Sequence, residues 1–286
     1  MNHNYLHIKL EDNKLPIYCL GDLHGFTDIL HRHIKNNDLK DCILIICGDI
    51  GLGLNSIGYL AKLYSNFNNF LKSRNIFVYA FRGNHDDPSY FNRDVNNDDN
   101  FYLSNLKLVP DYTVLTVNNE NILMIGGAVS IDRSKRKISD KQRIKHTLEF
   151  YPKSQRKKQL LSIPLSYWDN ELPVFDPKII DKLTEDGISI NYVLTHTCPS
   201  FAFPITKDGV KHWFPYDSHL EADLDKERAI MDSIYHYLLD KGHNIKQWIY
   251  GHYHTHHQET VNNIRFVTLI NVDYDFDAYE IARNDI

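Results

Sequence analysis

The sequence lacks several features that would place it in a special class of protein. Its longest uninterrupted aliphatic run, Cys42–Cys47, is far shorter than the roughly 20 apolar residues that a membrane-spanning helix needs. The first residues show no apolar signal segment, and we find no internal repeat, low-complexity tract or linker. These absences predict a globular chain that has no part in a membrane.

Cysteine is scarce, and the positions of the cysteines argue against both a zinc finger and a disulfide-rich protein. Cys19, Cys42, Cys47 and Cys198 lie in or beside apolar segments, and their spacing is not that of a zinc finger. We therefore expect reduced core residues rather than a disulfide framework. This pattern predicts a cytoplasmic protein.

An excess of positive charge is also absent from the chain as a whole, whose net charge is −5. The exception is the basic segment, residues 133–158, which carries +9 and leaves −14 for the remainder. It is either a funnel or lid for a polyanionic substrate such as nucleic acid, or a solvated basic face. We expect that neutralising Lys135, Arg136 and Lys137 together leaves the turnover of small substrates nearly unchanged.

What the chain does have is an alternation of short apolar runs and helical periodicity, typical of an α/β protein. The segment near 133–172 has weak periodicity and is predicted to be an insertion, either helical or a mobile lid, in one domain spanning 1–286. Strands are predicted at Pro16–Leu20, Cys42–Cys47, Ile76–Ala80, Tyr112–Val117, Ile122–Ile125, Asn191–Leu194, Gln247–Tyr250 and 264–270. Helices are predicted at Asp28–Asn36, Ile57–Ser73, Lys178–Glu185 and about Asp223–Asp240.

Five of these strands end in a Gly or Thr that is followed by residues of the metal-ligand type. The five endings are Gly21-Asp22-Leu23-His24-Gly25, Gly48-Asp49, Gly83-Asn84-His85-Asp86, Thr195-His196 and Gly251-His252-Tyr253-His254. Ligands collect beyond the carboxyl ends of strands in open α/β sheets. Because Asp22 and His24, like His252 and His254, are two residues apart, an extended backbone would project each pair to one side.

The ordered set Gly-Asp-x-His-Gly, Gly-Asp, Gly-Asn-His-Asp, a lone His and Gly-His-x-His resembles that of the calcineurin-like metallophosphoesterases. The resemblance runs from Asp22 to His254. It implies a four-layer α/β/β/α sandwich with mixed sheets. The stretch Gly126–Arg133 is similar to one found in a bacterial and phage-type subset of the family.

The resemblance also implies two divalent metal ions. Asp22, His24 and His254 would bind the first, Asn84, His196 and His252 the second, and Asp49 would bridge them. An anionic bridge reduces the repulsion between two neighbouring cations. The mixture of imidazole, carboxylate and carbonyl donors suits Mn, Fe or Zn.

In the family, the His of the third motif lies at the substrate, so His85 is expected to act as an acid or a transition-state donor. Asp86 either orients the His85 ring or caps the turn.

The chain departs from the protein serine/threonine phosphatases after the second motif. There Asp49-Ile50-Gly51-Leu52-Gly53 lacks the Asp and the phosphate-binding Arg of that subfamily. Arg82 matches the Arg that precedes their third motif and is predicted to bind substrate. Arg133 either replaces the missing Arg, since guanidinium pairs with phosphate in a bidentate manner, or forms a surface salt bridge.

These features predict an enzyme that hydrolyses a phosphoester with a hydroxide bridging two metals, most simply a monoester phosphatase. A phosphodiesterase or nuclease is the alternative that the basic segment supports. A metal-free binding scaffold is a third possibility, which the full set of ligand residues disfavours.

Overall fold

The computed structural model describes residues 4–10, 15–91, 103–160, 162–204, 208–272 and 278–281, apart from the side chains at 57 and 208. No described helix combines the length and the apolar character needed to cross a membrane. The strands are β1 (Leu6–Lys9), β2 (Ile17–Leu20), β3 (Cys42–Cys47), β4 (Ile76–Phe81), β5 (Leu106–Leu108), β6 (Thr113–Val117), β7 (Glu120–Ile125), β8 (Tyr192–Thr195), β9 (Gln247–Tyr250), β10 (His257–Val261), β11 (Ile264–Thr268) and β12 (Tyr279–Glu280). The helices are α1 (Thr27–Asn36), α2 (Ile57–Ser73), α3 (Arg133–Glu149), α4 (Lys153–Leu160), α5 (Pro177–Glu185), α6 (Asp208–Lys211) and α7 (Leu220–Asp240).

The strands form two mixed sheets. One has the order β12-β2-β3-β4-β5, in which all neighbours are parallel except β12 and β2. The other has the order β1-β6-β7-β8-β9-β11-β10, in which the pairs β6–β7 and β10–β11 are antiparallel. The parallel strands β2, β3 and β4 of one sheet and β8 and β9 of the other carry the predicted ligands just beyond their carboxyl ends.

Three apolar clusters show how the layers stack. In β3, Cys42, Leu44 and Ile46 face α1 and α2, whereas Ile43 and Ile45 face the second sheet, as the two-residue repeat of a strand requires. A third cluster joins the far side of the second sheet to α5 and α7. Helices therefore flank two stacked sheets, which confirms the predicted four-layer α/β/β/α sandwich.

The predicted strands and helices are confirmed, with small shifts of their ends. The basic segment forms the two helices α3 and α4. Sequence reasoning missed the edge strands β5, β10 and β12; in β10, exposed polar residues such as His257 and Gln258 hide the apolar signal of a strand. The Asn/Asp-rich loop predicted at 94–100 lies outside the described residues, and the single domain stays a prediction.

Candidate metal centre

Seven potential ligand side chains meet where the parallel strands of both sheets end. Asp22, Asp49, Asn84 and His196 are almost fully buried, with 2% or less of each residue exposed. His24, His252 and His254 close the same site from the solvent side. Side chains that lie more than 200 residues apart in sequence thus come within a few ångströms of each other.

The first group consists of Asp22, His24 and His254, whose ligand atoms all lie within 4.8 Å of one another. His254 Nε2 is 2.8 Å from Asp22 Oδ2 and 3.2 Å from His24 Nε2. Two imidazole nitrogens and a carboxylate oxygen that converge in this way form a donor set that suits a divalent cation.

The second group consists of Asn84, His196 and His252. The side-chain oxygen of Asn84 lies 2.9 Å from His196 Nε2 and 3.0 Å from His252 Nδ1. The other ring nitrogen of His196, Nδ1, donates to the carbonyl of Cys47 at 2.8 Å.

This second group requires a positive charge between its members. A neutral His196 that donates through Nδ1 presents the lone pair of Nε2 to the Asn84 oxygen, so two acceptors would face each other. A proton or a metal cation removes that repulsion. Although burial opposes it, the Asp49 and Asp22 carboxylates raise the pKa of His196 to about 10 in the absence of metal. The residues therefore fit a cation.

Asp49 lies between the two groups. Its Oδ2 is 3.8 Å from His24 Nδ1 and its Oδ1 is 3.4 Å from His196 Nε2, so the two carboxylate oxygens face different groups. Burial acts to raise the pKa of Asp49, but the neighbouring His196 ring holds that pKa well below its usual range. The carboxylate is therefore an anion at neutral pH.

Four of the ligand residues adopt backbone conformations that L-amino acids rarely adopt. The φ angles of His24, Asp49, His252 and His254 are +47°, +54°, +71° and +51°. Each costs roughly 1–2 kcal/mol, which the packing around the site has to offset. The prediction that extended backbone places His252 and His254 on one side is wrong: the chain turns at both, and the two rings join different groups.

Two glycines allow ligands from other strands to approach the backbone. A Cβ at Gly83 would lie 2.0 Å from Asp49 Oδ1, and a Cβ at Gly48 would lie 2.2 Å from His196 Nδ1. Each glycine thus makes room for a ligand that follows a different strand.

Ser130 and Glu171 orient the Asn84 amide, and neither was predicted from the sequence. Asn84 Nδ2 donates to Ser130 Oγ at 2.8 Å, and Ser130 Oγ donates to Glu171 Oε2 at 2.6 Å. Because the NH₂ group is held by Ser130, the amide oxygen must point at His196 and His252. Ser130 lies in the Gly126–Arg133 stretch noted in the sequence, but nothing in that stretch links it to Asn84 or to a Glu 41 residues away.

We expect Ser130→Ala to weaken metal binding by roughly 10- to 100-fold, the usual effect of removing a partner that orients a ligand. Titration calorimetry with Mn²⁺ measures the effect. Ser134→Ala is a matched control, because the buried Ser134 hydroxyl has no partner among the described residues. Equal affinities in wild type and both variants would contradict this role of Ser130.

The sequence profile of the calcineurin-like phosphoesterases matches residues 15–256, which include all seven ligand positions. The chain belongs to the calcineurin-like phosphoesterase family. It is therefore a metallophosphoesterase, and metal-dependent hydrolysis of phosphoesters is the activity of its family. The bacterial and phage-type subset stays a prediction.

Several solved structures are similar to this chain. One solved structure aligns with a TM-score of 0.50 at 14% identity, over 91% of this chain and 92% of that one. The protein TT1561 of Thermus thermophilus aligns with a TM-score of 0.48 at 13% identity over 90% of both chains. The phosphopantetheinyl hydrolase of Mycobacterium tuberculosis has a TM-score of 0.41 at 14% identity, over 96% and 98%. Comparison with curated proteins found no match.

His85 lies at the edge of the metallophosphoesterase site, beside the guanidinium of Arg136. In the sequence, Arg136 is one charge of the basic segment. His85 Nε2 is 4.0 Å from Asp49 Oδ2. Arg136 Nη1 and Nη2 lie 2.9 and 2.7 Å from the two ring nitrogens. Burial, together with Arg136, lowers the pKa of His85 to about 4, although Asp49 opposes the shift.

The expectation that Arg136 acts with Lys135 and Lys137 as a peripheral charge is therefore corrected. Arg136 lines the same cavity as Asp49 and Asn84. Among the described residues, Arg136 supplies the guanidinium that contacts His85. The sequence instead indicates Arg82 and Arg133 as the substrate-binding arginines. The only signal for Arg136 was its spacing of three residues from Arg133, which places both on one face if the segment is helical.

Asp86 contacts the backbone rather than the His85 ring. Its buried carboxylate accepts hydrogen bonds from the amides of Ile50, Gly51, Leu52 and Gly83, at 2.7 to 3.2 Å. These bonds tie the loop that follows β3 to the loop that follows β4. The geometry favours the turn-capping alternative.

We expect Asp86→Ala to destabilise the fold by at least ~2 kcal/mol, because the change leaves buried amides without an acceptor. Denaturant unfolding of the metal-free protein separates this effect from metal binding. Asp87→Ala serves as the adjacent control, since Asp87 Oδ1 accepts from the Ser89 amide at 2.9 Å near the surface. If Asp86→Ala were as stable as the wild type, the hydrogen bonds of Asp86 would not be what holds the two loops together.

The two arginines predicted to bind substrate are both engaged by the protein. Arg82 is 6% exposed; it pairs with Asp111 at 2.8 Å and donates to three carbonyls, those of residues 170, 171 and 172. Arg133 is 5% exposed and pairs with Asp217 and Asp223, both at 2.6 Å. These contacts use the donors that would bind phosphate, so they favour structural roles for Arg82 and Arg133.

Proposed function

We propose that the protein hydrolyses phosphate monoesters at a centre of two divalent ions. Asp22, His24 and His254 would hold one ion, Asn84, His196 and His252 would hold the other, and Asp49 would touch both. The observation that carries the proposal is the position of Asp49, whose two oxygens face the two groups. Two such ions, when bound, would lower the pKa of a water that attacks phosphorus and would stabilise negative charge on the leaving oxygen.

The residues of this chain would supply position and charge. In the net reaction, water adds to phosphorus, the P–O bond to the organic group breaks, and the leaving oxygen takes a proton. His85 and Arg136 lie side by side in the cavity that Asp49 and Asn84 line, where N–H donors can bind a phosphoryl oxygen or the leaving oxygen. Arg136 is also engaged, by Asp132 and His85, but of these three arginines it alone lines the cavity, so it is the one we propose to bind phosphate.

We further propose that the ions are Mn, Fe or Zn, which the mixed nitrogen and oxygen donors suit. The four cysteines are all buried and unpaired, which supports a cytoplasmic location.

The proposal is tested by removing metal from the protein and adding back Mn²⁺, Fe²⁺ or Zn²⁺. We expect two ions per chain by elemental analysis and no hydrolysis without them. An aryl monoester should react faster than the matching diester. A single ion per chain, or a faster diester, would contradict the dinuclear monoesterase.

A nuclease is the second candidate, and one observation favours it. Six lysines of α3 and α4 are exposed: Lys135, Lys141, Lys145, Lys153, Lys157 and Lys158. None of the six lines the cavity that contains Asp49. If they steer a nucleic acid, kcat/KM on an oligonucleotide should fall steeply with added salt, while kcat/KM on an aryl phosphate should not.

A further inference from the structure

The cavity at the candidate metal centre is lined by two chemically different groups of residues. One is polar and includes Asp49, Asn84, His252 and His254 of the proposed centre. The other is apolar and is supplied by Phe203, Val210, Trp213, Phe214 and Leu224. The cavity measures about 430 Å³, within the range of ~300–1,000 Å³ typical of sites for small molecules.

Two aromatic rings of this apolar group, which we call the aromatic wall, make contacts with cationic side chains of the protein. The Arg228 guanidinium lies 4.1 Å from the centre of the Phe203 ring, and Tyr253 meets that ring edge-on at 5.2 Å. The Lys135 ammonium lies 4.3 Å from the centre of the Trp213 ring. Rings that are positioned in this way offer a preformed surface for a flat or bulky apolar group.

The charges along the cavity disfavour a second anionic group on the ligand. Its two arginines are each paired, Arg136 with Asp132 at 2.6 Å and Arg228 with Glu227 at 3.3 Å. The carboxylates of Glu221 and Asp225, both exposed, line the same cavity. A second phosphate or carboxylate on the ligand would therefore meet negative charge from the lining residues, of which the Lys135 ammonium over Trp213 offsets only part.

From these observations we infer the substrate class: a small phosphate monoester whose organic group is aromatic or bulky and apolar, and which carries no other anionic group. The phosphate lies at the metal ligands and the organic group packs against Phe203, Trp213 and Phe214. The inference rests on the proposed function. It separates this site from one that takes phosphopeptides or nucleic acid, whose reacting phosphates have polar or charged neighbours.

The test uses the full chain loaded with Mn²⁺ and compares phenyl phosphate with 1-naphthyl phosphate, whose leaving groups have similar acidity. We expect kcat/KM to be roughly 10- to 100-fold higher for the naphthyl ester, the scale at which apolar pockets discriminate. A carboxylate on the naphthyl ring should lower kcat/KM several-fold, and added salt should reduce that loss. Equal values for the phenyl and naphthyl esters would overturn the inference.

Binding is measured separately, so that failure of catalysis and failure of the inference can be told apart. Calorimetry with benzylphosphonate and naphthylmethylphosphonate gives the preference for the second ring without turnover. If neither ester is hydrolysed but the naphthyl preference in Kd remains, the proposed function fails and the ligand class stands. If the esters are hydrolysed and the two Kd values are equal, the ligand class fails alone.

Variants place the preference in the cavity. Trp213→Ala should reduce the naphthyl preference to less than about 3-fold, because one aromatic face is lost. Leu224→Trp fills the cavity instead, so it should also reduce the preference without removing a core residue. Phe150→Ala is the control, since Phe150 is 74% exposed and lies outside the cavity lining. An unchanged naphthyl preference in both cavity variants would overturn the assignment of these rings.

Discussion

Replacement of Asp49 by Asn is expected to abolish most activity and to reduce metal content together. The change keeps the size of the side chain but replaces a buried anion, whose oxygens lie 3.8 Å from His24 and 3.4 Å from His196, by a neutral amide. Two cations would then lie close together without the charge that reduces their repulsion. We expect turnover to fall by at least ~10²-fold, given the contributions of metal ions and their ligands to catalysis. Elemental analysis and steady-state rates on an aryl phosphate measure the two effects.

The control for this prediction is Asp28→Asn, because the exposed Asp28 lies in the first turn of α1 and pairs with Arg32 at 3.5 Å, away from the metal ligands. This variant should keep both metal content and rate. A protein with Asn at position 49 that retained two ions and full turnover would refute the proposed bridging role.

Replacement of His85 by Asn is expected to lower turnover by roughly 10²–10⁴-fold, the usual contribution of general acid–base catalysis. Metal content should stay unchanged if His85 binds substrate rather than metal; its ring lies close enough to His24 and Asp49, with ligand atoms within 4.8 Å of one another, that elemental analysis of this variant tests the assignment. If His85 protonates the leaving oxygen, the loss should be smaller for 4-nitrophenyl phosphate than for phenyl phosphate. The pKa of about 4 and the adjacent Arg136 guanidinium instead favour a neutral ring that donates one hydrogen bond.

The comparison of leaving groups decides between these two roles of His85. An equal loss on both esters indicates binding of the phosphate rather than protonation of the leaving group. His236→Asn provides the control, since His236 is an exposed residue of α7. Full activity of the protein with Asn at position 85 would contradict both roles.

The predictions that depend on local pattern agree well with the structure. The β3 segment is predicted as a buried strand because its run is apolar throughout, as packing on both faces requires, and Gly48 marks the place where the chain turns into Asp49. Apolar runs that end in a Gly or Thr also located β2, β4, β8 and β9. They also placed Asp22, Asp49 and Asn84 at neighbouring strand ends, since the parallel strands β2, β3 and β4 end on one edge of a sheet.

The predictions that the structure does not favour concern contacts between distant segments. Arg82 sits in the third motif, yet its guanidinium is buried against Asp111 and the carbonyls of residues 170–172. Arg136 looked like one of eleven basic residues in an exposed run, and it lies against His85 instead. Local sequence does not show which face of α3 packs inward, because that helix has few apolar residues to mark the face.

The sequence by itself determined most of the strands, their order along the chain and the seven candidate ligand residues, because short-range periodicity and the motifs at strand ends specify these features. Only the tertiary structure decided which ligands face each other, which arginine reaches the site, and that Ser130 and Glu171 orient Asn84. Those relations depend on distances between side chains that lie 30 to 230 residues apart, and such distances are set when the two sheets and their helices pack. The aromatic wall formed by Phe203, Trp213 and Phe214 belongs to the same category, since α7 and the segment before it meet the metal ligands only in the folded chain.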